Sequence, residues 1–125
     1  MQIRTSTSLI SVTPEGLLEV KFIDNDLKID LQEAEAQYNA AKQLVDGKEM
    51  LVLVDARESI HELTTEAKEF IAKISEKKAE AIVVKELHQR IIATFYLKVT
   101  VTIYHHPVKV FSDRNEAVKW LLSLK

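Results

Sequence analysis

The chain has 125 residues, which fits one domain and is long enough to bury a single core without disulfides or metals. Its formal net charge is −2, with Lys and Arg spread along the sequence, which argues against nucleic-acid binding because that function needs a clustered basic face. The lack of cysteine excludes a disulfide framework, a thiol nucleophile and a thiolate zinc site.

The first elements along the chain are two β-rich segments, 8–12 and 17–23. Thr13-Pro14-Glu15-Gly16 between them is a turn signal, because proline presets φ and glycine closes the turn, so we predict a β-hairpin. A helix follows, because Asp30 and Glu33 form a capping-box pattern. Its predicted buried stripe consists of Leu31, Ala34, Tyr38, Ala41 and Val45.

Gly47 is expected to end this helix, and the apolar run 50–54 then leads directly into Asp55. An unbroken apolar run is typical of a strand that is covered on both faces, as in a parallel sheet. Ligand and partner sites of such sheets lie at the carboxyl ends of the strands. We therefore expect the functional site within residues 55–65.

The second half of the chain alternates between helical and extended patterns. Thr64 or Thr65 is expected to cap a helix that runs to Lys77. The later predicted elements are a strand at 81–84, a helix at 87–98, an extended segment at 99–107, a strand at 108–111 and a last helix opened by Asp113 and Glu116. The apolar run 99–104 either packs in the core or forms an edge for a homodimer.

This alternation predicts one α/β domain spanning residues 1–125. Its element order is β-β-α-β-α-β-α-β-α, with an N-terminal hairpin and about four helices that cover a mixed sheet through right-handed crossovers. No segment approaches the roughly 20 apolar residues of a membrane helix, and the amino terminus lacks the apolar core of a signal peptide. We therefore expect a cytoplasmic protein without membrane insertion.

The order of elements resembles the STAS fold of the bacterial anti-sigma-factor antagonists of the SpoIIAA type, and more closely the small STAS-like proteins related to SpoIIAA and to Sec14-like domains. The pieces that carry the resemblance are Leu51-Val52-Leu53-Val54-Asp55, the helix 65–77 and the ending 110–121. In the antagonists, the loop after the central strand reads Asp-Ser-Ser-Gly, and a kinase phosphorylates one of the serines. The corresponding stretch here is Leu63-Thr64-Thr65-Glu66. The resemblance therefore implies a STAS-like fold and a phosphosite at Thr64 or Thr65, although Glu66 departs from the glycine of the pattern.

The polar loop after the central strand is the predicted partner-binding or regulatory site. Its residues are Asp55, Arg57, Glu58, Ser59, His61 and Glu62. Thr64 and Thr65 are either a helix N-cap or a phosphosite, and Asp55 either accepts loop amides in a turn or marks a ligand site. We predict no metal site and no cofactor, because the four histidines, His61, His88, His105 and His106, lack the spacing of metal ligands.

Three functional hypotheses follow. The first is a non-catalytic, regulatory protein-interaction module with an unknown protein partner. The alternative is a Sec14-like carrier of a small apolar ligand or lipid, which a closed apolar cavity would favour. An enzyme is the third hypothesis, and we do not expect it because the chain has no Gly-x-Ser-x-Gly elbow and no glycine-rich phosphate loop.

Overall fold

The computed structural model describes the backbone of residues 1–46, 49–101 and 106–125, and their side chains except those of 95–101. Within these residues the chain forms one six-stranded mixed sheet and four helices, in the order β-β-β-α-β-α-β-α-β-α. The predicted mixed α/β architecture is therefore confirmed. The strands are β1 (Gln2–Arg4), β2 (Ser8–Val12), β3 (Leu18–Phe22), β4 (Met50–Asp55), β5 (Lys77–Val83) and β6 (Val108–Phe111). The helices are α1 (Leu31–Leu44), α2 (Thr65–Ala72), α3 (Leu87–Val101) and α4 (Arg114–Leu122).

The strands lie side by side in chain order from β1 to β6. The first three are antiparallel, whereas β3, β4, β5 and β6 are parallel. The predicted hairpin joins β2 to β3, and Gly16 adopts a φ of +87°, which a side chain would disfavour. The pairing of β1 with β2 was not predicted, because three residues are too short to show an alternating pattern.

The two faces of the sheet are covered by different helices. Helix α4 packs on one face, where the core consists of Leu17, Leu51, Leu53, Ala79, Ala81, Val83, Phe111, Ala117 and Leu121. The other face lies under α1, α2 and α3, which are the connections between successive parallel strands. Crossovers of one hand between strands in sequential order place their helices on a single face, so the last helix is left to cover the other.

Three predicted boundaries were wrong. Helix α2 ends at Ala72 rather than at Lys77, because Lys77 already pairs with Met50 as the first residue of β5. Strand β5 is accordingly longer than the predicted 81–84. Helix α3 continues to Val101, so the expected extended segment does not begin at Val99. Residues 99–101 are therefore helical despite their β-propensity, and residues 102–105 of the prediction lie outside the described part of the chain.

The start of α1 follows the capping-box prediction only in part. Asp30 caps the helix, since its carboxylate accepts a hydrogen bond from the backbone N–H of Glu33 at 2.8 Å. The side chain of Glu33 is buried and bonds to Thr5 and Thr7, so it does not serve as the acidic half of a capping box. Leu31, expected in the buried stripe, is 40% exposed.

The end of α1 also differs from the prediction. Helix α1 ends at Leu44 with Val45 as its C-cap, and Asp46 takes a left-handed φ of +29°. Gly47, the predicted terminator, lies outside the described residues.

Candidate functional site

The carboxyl ends of the parallel strands bring polar side chains together, as expected for a sheet of this kind. We call this group the polar edge, and its members surround one shallow depression. They are Lys21, Asp55, Arg57, Glu58, Lys85 and Ser112. They come from β3, from the end of β4 and from the loops after β4, β5 and β6, so four strand ends contribute to one surface.

Asp55 and Arg57 form a bidentate ion pair in the polar edge. The Oδ1 atom of Asp55 accepts from the backbone N–H of Arg57 at 3.1 Å and from its Nε at 3.0 Å, while Oδ2 accepts from Nη2 at 2.9 Å. The Asp55 side chain is only 5% exposed and that of Arg57 is 42% exposed. Burial by itself raises the pKa of Asp55, but the hydrogen bonds and charge of Arg57 outweigh burial and lower the pKa below its ordinary value. The prediction that Asp55 accepts a loop amide is confirmed.

Gln89 connects two loops of the polar edge through hydrogen bonds. The sequence analysis did not predict this role. Its Oε1 accepts from the backbone N–H groups of Lys85 and Glu86 at 2.8 and 3.0 Å. Its Nε2 donates to the backbone carbonyl of Arg57 at 3.0 Å, and the residue is buried. A glutamine in the first turn of a helix that bonds back to the preceding N–H groups is half of a capping box, and that spacing was the available signal.

The predicted polar loop divides into two parts. Asp55, Arg57 and Glu58 belong to the polar edge, where Glu58 pairs with Lys21 at 3.3 Å. Ser59 and His61 are instead buried, so they are not on a surface that a partner would contact.

His61 points inward, toward the segment between β3 and α1. Its Nδ1 lies 2.7 Å from the carbonyl oxygen of Leu27, and its Nε2 lies 2.8 Å from that of Ile23. Glu62 is exposed and lies 4.0 Å from Lys28. The loop therefore holds the 23–29 segment in place, and its role as a partner-binding surface stays a prediction.

Thr64 is the N-cap of α2, which is one of the two roles predicted for it. Its Oγ1 accepts a hydrogen bond from the backbone N–H of Ala67 at 3.2 Å. Its own backbone N–H donates to the carbonyl of Ile29 at 3.0 Å, which anchors the start of α2 beside α1. Thr65 is the exposed first residue of the helix. Phosphorylation of either threonine stays a prediction.

A cavity of about 450 Å³ lies between the sheet and helices α1, α2 and α3, and it is partly open to solvent rather than closed as the carrier hypothesis expects. Its floor is formed by alternate residues of β3 and β4, which are Leu18, Val20, Phe22, Met50, Val52 and Val54. Its sides include Tyr38 and Ala41 of α1, Ile71 of α2, and Ile92 and Ala93 of α3. The volume falls within the range of about 300–1,000 Å³ that is common for small-molecule sites.

One charged cluster lies in this mainly apolar wall. Glu80 is 4% exposed, and its Oε1 lies 3.3 Å from Nζ of Lys77 and 3.4 Å from Nε2 of His106. Burial by itself raises the pKa of Glu80, but the charge of Lys77 and the hydrogen bond from His106 lower it below its ordinary value. Glu80 could have been noticed from the sequence, because it is a single carboxylate inside the apolar run 79–84. The sequence analysis did not consider it.

Two absences hold within the described residues. They contain no group of three or more His, Cys, Asp or Glu side chains placed to hold a metal ion, and His105 lies outside them. No helix among them is long and apolar enough to cross a membrane.

Comparison with known proteins gives a family and a fold. A family model described as a domain of unknown function, DUF7793, matches residues 11–125. Among solved structures, the chain is similar to an uncharacterised DUF3478-family protein with a SpoIIAA-like fold from Shewanella loihica PV-4, at 19% identity, a TM-score of 0.59, and coverage of 97% of this chain and 90% of the other. This likeness confirms the predicted SpoIIAA-like fold. A protein of unknown function from Arthrobacter sp. FB24 also matches, at 18% identity and a TM-score of 0.33, with 95% of each chain covered. No curated protein matches.

Proposed function

We propose that this chain, which belongs to the DUF7793 family, is a non-catalytic binding domain whose cavity holds a small apolar ligand. The observation that carries the proposal is the cavity of about 450 Å³ between the sheet and helices α1, α2 and α3. The space is partly open to solvent, and a ligand that enters it would remove its apolar walls from water. Its mainly apolar walls favour an apolar ligand.

The incomplete burial of β3 supports the same conclusion. Strand β3 lies inside the sheet, with β2 on one side and β4 on the other. Its cavity-facing residues Val20 and Phe22 are nevertheless only half-buried. Each apolar side chain that a ligand removes from water contributes about 25 cal/mol per Å² of buried area, so these two residues are a source of binding energy.

The pairing of three carboxylates, those of Asp55, Glu58 and Glu80, supports a binding role. Asp55 is neutralised by Arg57, and Glu58 by Lys21, while Glu80 contacts Lys77. A general base or nucleophile needs an available group that can reach the reacting atom. Carboxylates that are held in ion pairs suit a structural or recognition role better.

Binding of an environment-sensitive apolar dye such as N-phenyl-1-naphthylamine tests the proposal. The dye should bind with a stoichiometry of one and show enhanced fluorescence. Val20→Trp should abolish binding, because the added ring fills the cavity from its floor. Asn115→Trp is the matched control, because Asn115 is exposed on α4, on the opposite face of the sheet, and this variant should bind like the parent. Equal binding by both variants, or no binding by the parent, would overturn the proposal.

A second candidate is a regulatory protein-interaction surface of the STAS type at the polar edge. It is favoured by the exposed guanidinium of Arg57, which Asp55 holds in a fixed orientation. With folding of both variants verified by circular dichroism, charge reversal by Arg57→Glu should abolish crosslinking of a partner from a photoreactive residue placed at Glu58, whereas Arg4→Glu should leave it intact. Equal crosslinking in both variants would exclude this surface.

A further inference from the structure

The wall of the cavity contains the ion pair of Lys77 and Glu80, which lies there because of how β4 pairs with β5. Residues three apart in a regular strand point to opposite faces. The register between β4 and β5 shifts, however, because Met50 pairs with Lys77 while Leu51 pairs with Ala79. Lys78 is thus an extra residue, and the shift lets both Lys77 and Glu80 line the cavity. Irregularities of this kind commonly re-aim a side chain near a functional site.

The pair has hydrogen-bonding capacity to spare. An ammonium group has three N–H donors, and among the described residues Lys77 uses one, toward Glu80 at 3.3 Å. That distance and the 3.4 Å between Glu80 and His106 are longer than the roughly 2.7–2.9 Å of strong charge-assisted hydrogen bonds. A donor and an acceptor therefore lie side by side at the cavity, and the charges of Lys77 and Glu80 sum to zero.

We infer that the ligand is an uncharged amphiphile with a single apolar chain and a hydroxyl head, and that the head lies between Lys77 and Glu80. A hydroxyl can donate to Glu80 and accept from Lys77 at the same time. A carboxylate head between Lys77 and Glu80 would lie against the carboxylate of Glu80, and two like charges side by side at a buried site are costly. A head group that only accepts hydrogen bonds, such as an ether, would accept from Lys77 but would give the carboxylate of Glu80 no new donor. This inference rests on the proposed apolar-ligand function.

Competition between matched ligands tests the inference. Displacement of N-phenyl-1-naphthylamine should be measured at pH 7.5 with 1-decanol, with its methyl ether 1-methoxydecane and with decanoate. On the 125-residue chain, 1-decanol should bind about tenfold more tightly than the ether, because it alone donates to a charged acceptor. It should also bind more tightly than decanoate. Decanoate binding as tightly as 1-decanol, or an ether that matches the alcohol, would overturn the inference.

The variant Lys77→Met/Glu80→Gln removes both charges together and keeps the site neutral. Its preference for 1-decanol over the ether should fall below about twofold, since the charged partners of the hydroxyl are gone. The matched control is Lys119→Met/Glu116→Gln, which removes an exposed Lys and an exposed Glu of α4, on the opposite face of the sheet from the cavity, and it should keep the preference. A preference that survives in the first variant would place the head elsewhere and refute the assignment.

Two further outcomes separate this inference from the proposed function. If the dye and the three ligands all fail to bind the parent, the proposed function fails and the inference fails with it. If they bind without preference, only the inference fails. If the double variant does not fold, as judged by circular dichroism, Glu80→Gln alone replaces it and should lower the preference, and an unchanged preference in that variant would also count against the inference.

Discussion

The carboxylate of Glu33 in α1 accepts a hydrogen bond from the backbone N–H of Thr7 at 2.9 Å, across 26 positions of sequence. The same carboxylate accepts from the hydroxyls of Thr5, at 2.7 Å, and of Thr7. Glu33 and Thr7 are both buried. The carboxylate of Glu33 therefore holds the turn between β1 and β2 against α1. Hydrogen bonds to a charged group are stronger than those between neutral groups, so this contact should matter for stability.

Glu33→Ala is expected to lower the free energy of unfolding by about 3 kcal/mol, because it leaves several buried donors without an acceptor. Urea denaturation followed by circular dichroism measures this loss. Glu35→Ala is the matched control, since Glu35 is exposed on the same helix and its loss should cost less than about 0.5 kcal/mol. Equal effects of the two substitutions would show that the carboxylate of Glu33 contributes no more than a surface group.

The same contacts make stability depend on pH. Burial by itself raises the pKa of Glu33, but hydrogen bonds from Thr7, Thr5 and Ser6 outweigh it and lower the pKa below its ordinary value. The stabilisation is therefore complete above the pKa of the unfolded chain, about 4.3, and is lost as pH falls through the lower folded value. Denaturation at a series of pH values should show the difference between the parent and Glu33→Gln constant near neutrality and shrinking below about pH 4. A difference that grows on acidification would contradict this account.

Local chemistry made some of these features predictable. The apolar run that ends in Asp55 identifies a central strand, because only a strand covered on both faces tolerates such a run. Thr64 was recognisable as a cap from its position before an amphipathic helix. The partners of Glu33 were not predictable, because they come from the turn between β1 and β2, which is far away in sequence. The Lys77–Glu80 pair was not predictable either. Its two side chains lie on the same face of the sheet only because the register between β4 and β5 shifts.

Arg57→Met is expected to destabilise the protein by about 2 kcal/mol at neutral pH, because Asp55 is then left buried without its main partner. The double variant Asp55→Asn/Arg57→Met should be more stable than Arg57→Met alone, since it removes the uncompensated charge. The Arg57 side chain is the main group that lowers the pKa of Asp55, so this pKa should be higher in Arg57→Met than in the parent, and the loss should diminish as pH falls and Asp55 becomes protonated. Thermal denaturation of the three proteins between pH 4 and 8, a range chosen to bracket ordinary carboxylate titration, measures both effects. A double variant less stable than Arg57→Met would argue against a compensating pair.

The two faces of the sheet should respond differently to the same substitution. Val83 is fully buried in the core under α4, so Val83→Ala should cost about 2 kcal/mol through lost burial and the void left behind. Val20 is half-buried on the floor of the cavity, so Val20→Ala removes fewer packing contacts and should cost less than about 1 kcal/mol. Urea denaturation of both variants compares the faces without any ligand. Equal losses at the two positions would mean that the space above Val20 is as closely packed as the core under α4, which would remove the basis for a ligand site there.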